Sequence, residues 1–103
     1  MTPDLPTDAD AVADLVRAVP GVAGLHPGMF GEVATHLPGR RVIGVRVLAD
    51  RVDVHVSLVP TAPVRTTAAA VRAAVAAVCA GMPVDVTVED IAAGPRRTTS
   101  IRR

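Results

Sequence analysis

The chain has 103 residues, 50% of them hydrophobic, and a formal net charge of +1. This length corresponds to a single domain, and this hydrophobic content argues against general intrinsic disorder. Cys79 is the sole cysteine, which excludes an intramolecular disulfide and a zinc site built from several cysteines of one chain.

The first element that the sequence predicts is a helix over about residues 8–18, after a flexible leader at residues 1–7. Its apolar stripe has members three or four residues apart, namely Val12, Leu15, Val16 and Val19. Pro20 and Gly21 end this helix, because both residue types disfavour its continuation. Residues 20–41 are rich in proline and glycine, and we expect irregular structure there, with short strands at most.

A β-hairpin is predicted from residue 42 to residue 58. In the first strand, residues 42–48, alternation places Ile43, Val45 and Val47 on one face. The second strand also alternates, and its apolar face consists of Val52, Val54, Val56 and Leu58. Both strands carry polar residues on the other face, which predicts a sheet with one buried side and one side facing solvent.

A second helix is predicted over about residues 64–80, ended by Gly81 and Pro83. Its core stripe consists of Val64, Ala68, Val71, Val75, Val78 and Met82. A last strand over residues 84–89 alternates with its valines facing inward. Because this strand follows a helical crossover, we expect it beside a hairpin strand, with both helices on one face of the sheet.

The predicted fold class is therefore α+β, in the order α-β-β-α-β with an irregular or short-strand segment after the first helix. The sheet is a small single layer, and two helices pack on one of its faces. One domain covers residues 8–91, and residues 92–103 form a disordered basic tail. The arginines of this tail are Arg96, Arg97, Arg102 and Arg103. They belong either to a solvated chain end or to a contact with the anionic phosphates of lipid or nucleic acid.

Three histidines, His26, His36 and His55, are candidates for metal ligation together with Glu32. Zinc ligands usually come as pairs at short spacing, and these histidines are ten and nineteen residues apart, so we expect no metal site. Cys79 lies at an alanine-rich helix end with no histidine nearby in sequence. This setting favours a buried structural cysteine over a nucleophile.

Four acidic residues of the predicted sheet, Asp53, Asp85, Glu89 and Asp90, could form an acid–base pair only if neighbouring strands bring them together. On the solvent-facing side of a sheet, acidic residues usually serve solubility. We therefore expect a protein that is not an enzyme, with no catalytic residues and no cofactor.

Two Gly-x-x-Gly segments, residues 21–24 and 28–31, match the spacing that KH domains use on a nucleic-acid backbone. Neither contains a basic residue, and a chain with one aromatic residue has almost nothing for base stacking. Turn formation explains both segments better. A small KH-like RNA-binding accessory protein that uses the arginine tail is the alternative function.

Two surfaces are candidates for contact with a protein partner. One is the second face of the sheet, where polar and apolar groups mix, namely Arg46, Leu48, His55, Thr87 and Glu89. The other is the outer face of the second helix. It contains Arg65, Ala69, Arg72 and Ala76 and is thinly charged for a solvated surface. Its alanines allow close approach of a partner helix. A plain alanine-rich surface explains the same composition, so the two interpretations stay open.

No membrane segment is predicted. The start of the sequence lacks the positive region and apolar run of a signal peptide. No stretch approaches the roughly 20 apolar residues that span a bilayer. We therefore expect a cytoplasmic protein that reaches a membrane only through a partner or its basic tail.

Five segments, in this order, resemble the alkaline shock protein family, the envelope stress response family of Gram-positive bacteria. They are VPGVAG at 19–24, GVRV at 44–47, VDVHVSLV at 52–59, VRAAV at 71–75 and VDVTVEDI at 84–91. The resemblance covers about residues 8–91 and implies a non-enzymatic protein that helps to maintain the cell envelope. It also implies a protein partner, either a membrane-anchored relative or a second copy of the chain.

Overall fold

A computed structural model describes residues 9–79 and 81–92 of the chain. Within these ranges the elements are α1 (Ala9–Arg17), β1 (Val22–Leu25), β2 (Ala34–Leu37), β3 (Arg40–Ile43), β4 (Val45–Val47), β5 (Val52–Leu58), α2 (Val64–Ala76) and β6 (Val84–Ile91). The predicted α+β fold class is confirmed. The leader predicted at 1–7 and the tail predicted at 92–103, apart from Ala92, lie outside the described residues.

Strand β5 is the centre of the main sheet. The N–H of His55 donates to the carbonyl of Gly44, and the carbonyl of His55 accepts from the N–H of His26, both at 2.9 Å. Strands β4 and β1 therefore lie end to end along one edge of β5, both antiparallel to it. Strand β6 runs parallel along the other edge, with Val84 opposite Val52. The last strand thus lies beside a hairpin strand, as expected from the sequence, and its parallel direction follows from the crossover through α2.

The core lies between one face of this sheet and the two helices. The inward side chains of β5, Val52, Val54, Val56 and Leu58, are all 0% exposed. Helix α1 adds Val12 and Val16, and α2 adds Val71 and Val75. A fully buried valine or leucine side chain stabilises a fold by about 1.5–3 kcal/mol, so these aliphatic residues hold the domain together without a buried aromatic side chain.

The predicted core stripe of α2 is correct at Val71 and Val75 and wrong at Val64. Val64 is the first residue of the helix and is 46% exposed. Thr67, which is 3% exposed, packs inward instead. The side chain of Thr67 lies against the backbone of Gly21, where an added Cβ would be 3.0 Å from its Oγ1 atom. The N-terminal turn of α2 therefore packs on the segment after α1.

The predicted strand over residues 42–48 is split in two at Gly44. This glycine has a φ of +83°, which favours glycine over residues with side chains. Its N–H donates to the carbonyl of Val33 at 2.8 Å, while its carbonyl accepts from β5. Strand β3 thus pairs with β2 in a separate two-stranded sheet, and β4 pairs with β5. As a result Val42 is buried and Ile43 is 38% exposed, so the placement of Ile43 on the buried face was wrong.

The β2–β3 hairpin packs against both the main sheet and α1. The hydroxyl of Thr35 donates to the carbonyl of Val45 at 2.6 Å. At the hairpin turn, Nη1 of Arg40 donates to Oδ1 of Asp10 at 2.8 Å. The hydrogen bonds from Arg40 lower the pKa of the Asp10 carboxyl, because they stabilise its charged form. These contacts hold the β2–β3 hairpin, and the loop that precedes it, against the rest of the domain.

Candidate interaction surface

The outer face of α2 carries the predicted partner residues. Arg65, Ala69, Arg72 and Ala76 are all exposed and lie on one stripe of the helix, hereafter the α2 stripe. Helix α2 contains no acidic residue, and these two arginines are its only charged residues. The surface is therefore mainly apolar and weakly basic, and its short alanine side chains allow a partner helix to approach closely.

Arg72 of the α2 stripe also contacts strand β6, and the sequence did not predict this contact. Its Nε atom donates to the carbonyl of Val84 at 3.3 Å. The carbonyl of the preceding residue, Pro83, accepts from Val52, so that of Val84 points to the other edge of β6. Arg72 thus covers the start of an edge with which no strand among residues 9–79 and 81–92 pairs.

An apolar pocket adjoins the N-terminus of α2, hereafter the α2 pocket. Its volume is about 470 Å³, within the roughly 300–1,000 Å³ typical of ligand pockets. The residues that line it are Pro20, Gly21, Val59, Thr61, Ala62, Pro63, Thr66, Thr67 and Ala70. None of them is charged. The sequence predicts the end of α1 at Pro20 and Gly21, but it does not show that this segment meets the start of α2 in space.

Gly21 allows three segments to pack closely at the α2 pocket. Its φ is +97°, and an added Cβ would lie 3.0 Å from the Cβ of Ala62 and from Oγ1 of Thr67. Its carbonyl accepts from the N–H of Val59 at 2.9 Å. The end of α1, the end of β5 and the start of α2 are therefore held together at this point.

The solvent-facing side of the sheet carries ion pairs between side chains that the sequence did not predict. Asp53 is only 7% exposed. Its Oδ1 atom accepts from Nε of Arg51 at 3.1 Å and its Oδ2 atom from Arg46 at 3.2 Å. The hydrogen bond that Arg51 donates to Asp53 raises the pKa of Arg51, because it stabilises the charged guanidinium. The expectation that Asp53 is merely a solubilising residue was wrong, because this carboxylate joins β4 to β5.

His55 contacts Glu89 on the same face, and each side chain is 17% exposed. Glu89 lies where the register of β6 shifts between Val88 and Asp90, and such an irregularity re-aims a side chain. Nearby, Nε2 of His26 is 3.7 Å from the carboxylate of Asp90. The expectation of an ordinary surface histidine at 55, with unpaired acidic residues around it, was therefore wrong.

These pairs do not assemble into a larger centre. His36 lies on β2 of the separate hairpin and is exposed. Within residues 9–79 and 81–92, no group of three or more histidine, cysteine or acidic residues has the geometry of a metal site. The exposed Asp85 contributes only a distant ion pair to Arg51, at 3.7 Å.

Cys79 is 1% exposed, and burial raises the pKa of its thiol. A raised pKa lowers the thiolate fraction at neutral pH, and only the thiolate reacts quickly. We therefore expect the native protein to react with a thiol reagent roughly tenfold or more slowly than the protein unfolded in urea. Equal rates before and after unfolding would make Cys79 a candidate nucleophile again.

The other predicted features are placed as follows. Gly21 lies in the turn before β1 and Gly24 lies inside β1, while Gly28 and Gly31 lie in the loop before β2, so neither Gly-x-x-Gly segment joins two helices. The tail arginines lie outside the described residues. No helix in the described part of the chain has the length and apolar character needed to cross a membrane.

No protein-family model and no curated protein sequence matches the chain. Two solved structures resemble it in fold. A variant of MamM matches with a TM-score of 0.54 and 18% sequence identity, over 88% of this chain and 89% of that chain. A double-substitution variant of the MamM C-terminal domain matches with a TM-score of 0.52 and 17% identity, over 91% of this chain and 90% of that chain. The chain therefore has the ferredoxin-like α+β fold of that domain.

Proposed function

We propose that the protein is a non-enzymatic interaction or scaffold protein of the cell-envelope stress response. It acts in the cytoplasm through protein contacts near the membrane. The observation that carries this proposal is the α2 stripe, a solvent-facing surface with exposed alanines and no acidic residue. A helix face that is this thinly charged is typical of a surface that another protein covers.

The likeness of the sequence to the alkaline shock protein family supports the stress role. The five segments that carry this likeness fall on β1, the β4–β5 pair, α2 and β6, which together form the main sheet and one of the helices packed on it. The partner in this proposal is a membrane-anchored relative or a second copy of the chain. The basic tail adds an attraction of about 1 kcal/mol per arginine to anionic headgroups near the surface.

The test is affinity capture of the tagged protein from gently solubilised cells, with and without nuclease and at low and high salt. A packed protein interface survives salt, whereas phosphate binding weakens steeply as salt rises. We expect a membrane protein or untagged copies of the chain to be retained under all four conditions. Recovery of RNA alone, lost at high salt, would contradict the proposal and support a KH-like RNA-binding protein.

Substitution of Ala69 in the α2 stripe should abolish this capture. Ala69→Glu places a long charged side chain in the centre of the contact, and we expect roughly a tenfold or greater loss of the captured partner. Ala11→Glu is the matched control, because Ala11 is an exposed alanine of the other helix. Quantitative mass spectrometry of the captured material compares the two. Equal capture by both variants would show that the α2 stripe is not the interface.

A further inference from the structure

The loop between β1 and β2 projects two large apolar side chains into solvent. Met29 is 79% exposed and Phe30 is 85% exposed, the two highest values among the exposed large hydrophobic residues of the described chain. Phe30 is also the only aromatic residue of the protein. A single aromatic residue that is left outside the core is unusual, since aromatic side chains contribute most when they are buried. We name residues 28–31 the apolar turn.

The apolar turn is held in one shape by its own hydrogen bonds. The N–H of Gly28 donates to Nδ1 of His26 at 2.9 Å, and that of Phe30 donates to the carboxylate of Glu32 at 3.1 Å. The N–H of Val33 closes the loop by donating to the carbonyl of Pro27 at 2.8 Å. A turn that is ordered before binding loses little conformational entropy when it binds.

We propose that the apolar turn of one copy of the chain inserts into the α2 pocket of a second copy. The pocket has an uncharged, mainly apolar lining, and its volume of about 470 Å³ leaves room for an aromatic side chain and part of its neighbour. Such an insertion provides the anchor-in-pocket arrangement that dominates the affinity of small interfaces.

The charges around the two surfaces also match. The apolar turn is followed by Glu32, which is exposed. Beside the pocket, Arg65 is exposed next to the lining residue Thr66, and α2 has no acidic residue that would repel Glu32. Complementary charges at the rim favour the correct orientation of two docking surfaces.

The occupant is a second copy, because the chain carries both the exposed apolar turn and the uncharged pocket, and the charges beside them, Glu32 and Arg65, are opposite. The turn and the pocket are different surfaces of the protein, so the contact is heterologous and continues from copy to copy as a ring or an open chain. This inference deepens the proposed function, on which it rests in part, by naming self-assembly as one of the scaffold's contacts. It uses the side of α2 at Thr66 and Ala70, and Arg65 at the rim of the pocket is the one residue that it shares with the α2 stripe.

The experiment is sedimentation velocity of the purified full chain over a concentration series. We expect the wild type to form species larger than a dimer. Phe30→Ser removes the anchor, and Ala70→Arg blocks the pocket at an exposed helix position, so each variant should self-associate roughly 30-fold more weakly. A mixture of the two variants keeps one intact turn and one intact pocket. It should therefore form a one-to-one dimer that grows no further.

Two matched variants serve as controls. Ile43→Ser removes another exposed apolar side chain, and Ala77→Arg adds an arginine at the exposed C-cap of α2, which does not line the pocket. Both should assemble like the wild type, and thermal melts should show that all four variants are folded. A monomeric wild type, unchanged assembly of Phe30→Ser, or no dimer in the mixture would each overturn the inference. Copies of the chain held by the apolar turn would still be captured by Ala69→Glu, so the readout of that variant for the α2 stripe is the loss of the captured membrane protein, which none of the sedimentation results affects.

Discussion

Replacement of Val75 by aspartate is expected to unfold the domain. Val75 is 0% exposed and lies on the inner face of α2, within the core shared by α1, α2 and β5. A buried charge without a partner costs about 3–5 kcal/mol or more. The whole free energy of unfolding of a small domain is only about 5–15 kcal/mol. Circular dichroism should show a melting transition that is lost or lowered by tens of degrees.

The neighbouring position provides the control for this prediction. Ala76 is adjacent in sequence but exposed, so Ala76→Asp introduces the same charge at the surface of the same helix. We expect only a small loss of melting temperature for that variant. If Val75→Asp melted like Ala76→Asp, the assignment of the inner face of α2 would be wrong.

The second large effect is expected for Gly44→Ala. A Cβ at this position would lie 2.7 Å from the Cβ of Leu25 and 3.0 Å from the backbone N of His26 and the backbone O of His55. Two of these neighbours are backbone atoms, which cannot rotate away. The left-handed conformation adds a cost of about 1–2 kcal/mol for a residue with a side chain. We expect the total loss of stability in urea unfolding to be about 3 kcal/mol or more.

Gly39→Ala separates these two causes. Gly39 has a φ of +77°, close to that of Gly44, but no atom lies within 4 Å of an added Cβ. This variant should lose only the conformational part, about 1 kcal/mol. Equal losses for the two variants would mean that the close contact of β1 and β5 around Gly44 has no energetic weight.

The main elements could be predicted because each follows from a period in the local sequence. Alternation of valines identified β5 and β6, and the stripe around Val71 and Val75 identified α2. The division of the β3–β4 strand at Gly44 could not be predicted from alternation, since the positive φ is imposed by Val33 and His55, which are distant in sequence. The exposure of Ile43 follows directly from that division.

The candidate surface was predictable only where it lies on one element. The α2 stripe follows from helical spacing, so Arg65, Ala69, Arg72 and Ala76 were placed together correctly. The α2 pocket joins the ends of three elements, and the contact between His55 and Glu89 depends on a shift of register in β6. Such features require the tertiary arrangement, which a single sequence without an evident pairing signal does not reveal.

The central position of β5 has a consequence for how the domain unfolds. Strands β1, β4 and β6 bond to β5 and not to one another, and β1 and β6 come from opposite ends of the described chain. No pair of these outer strands can persist once β5 has detached, so the main sheet has no smaller cooperative unit within it. The β2–β3 hairpin is the exception, because its ladder is its own. The hydrogen bonds within this hairpin therefore do not depend on β5, and the contacts of Thr35 and Arg40 together with the buried Val42 join it to the rest of the domain.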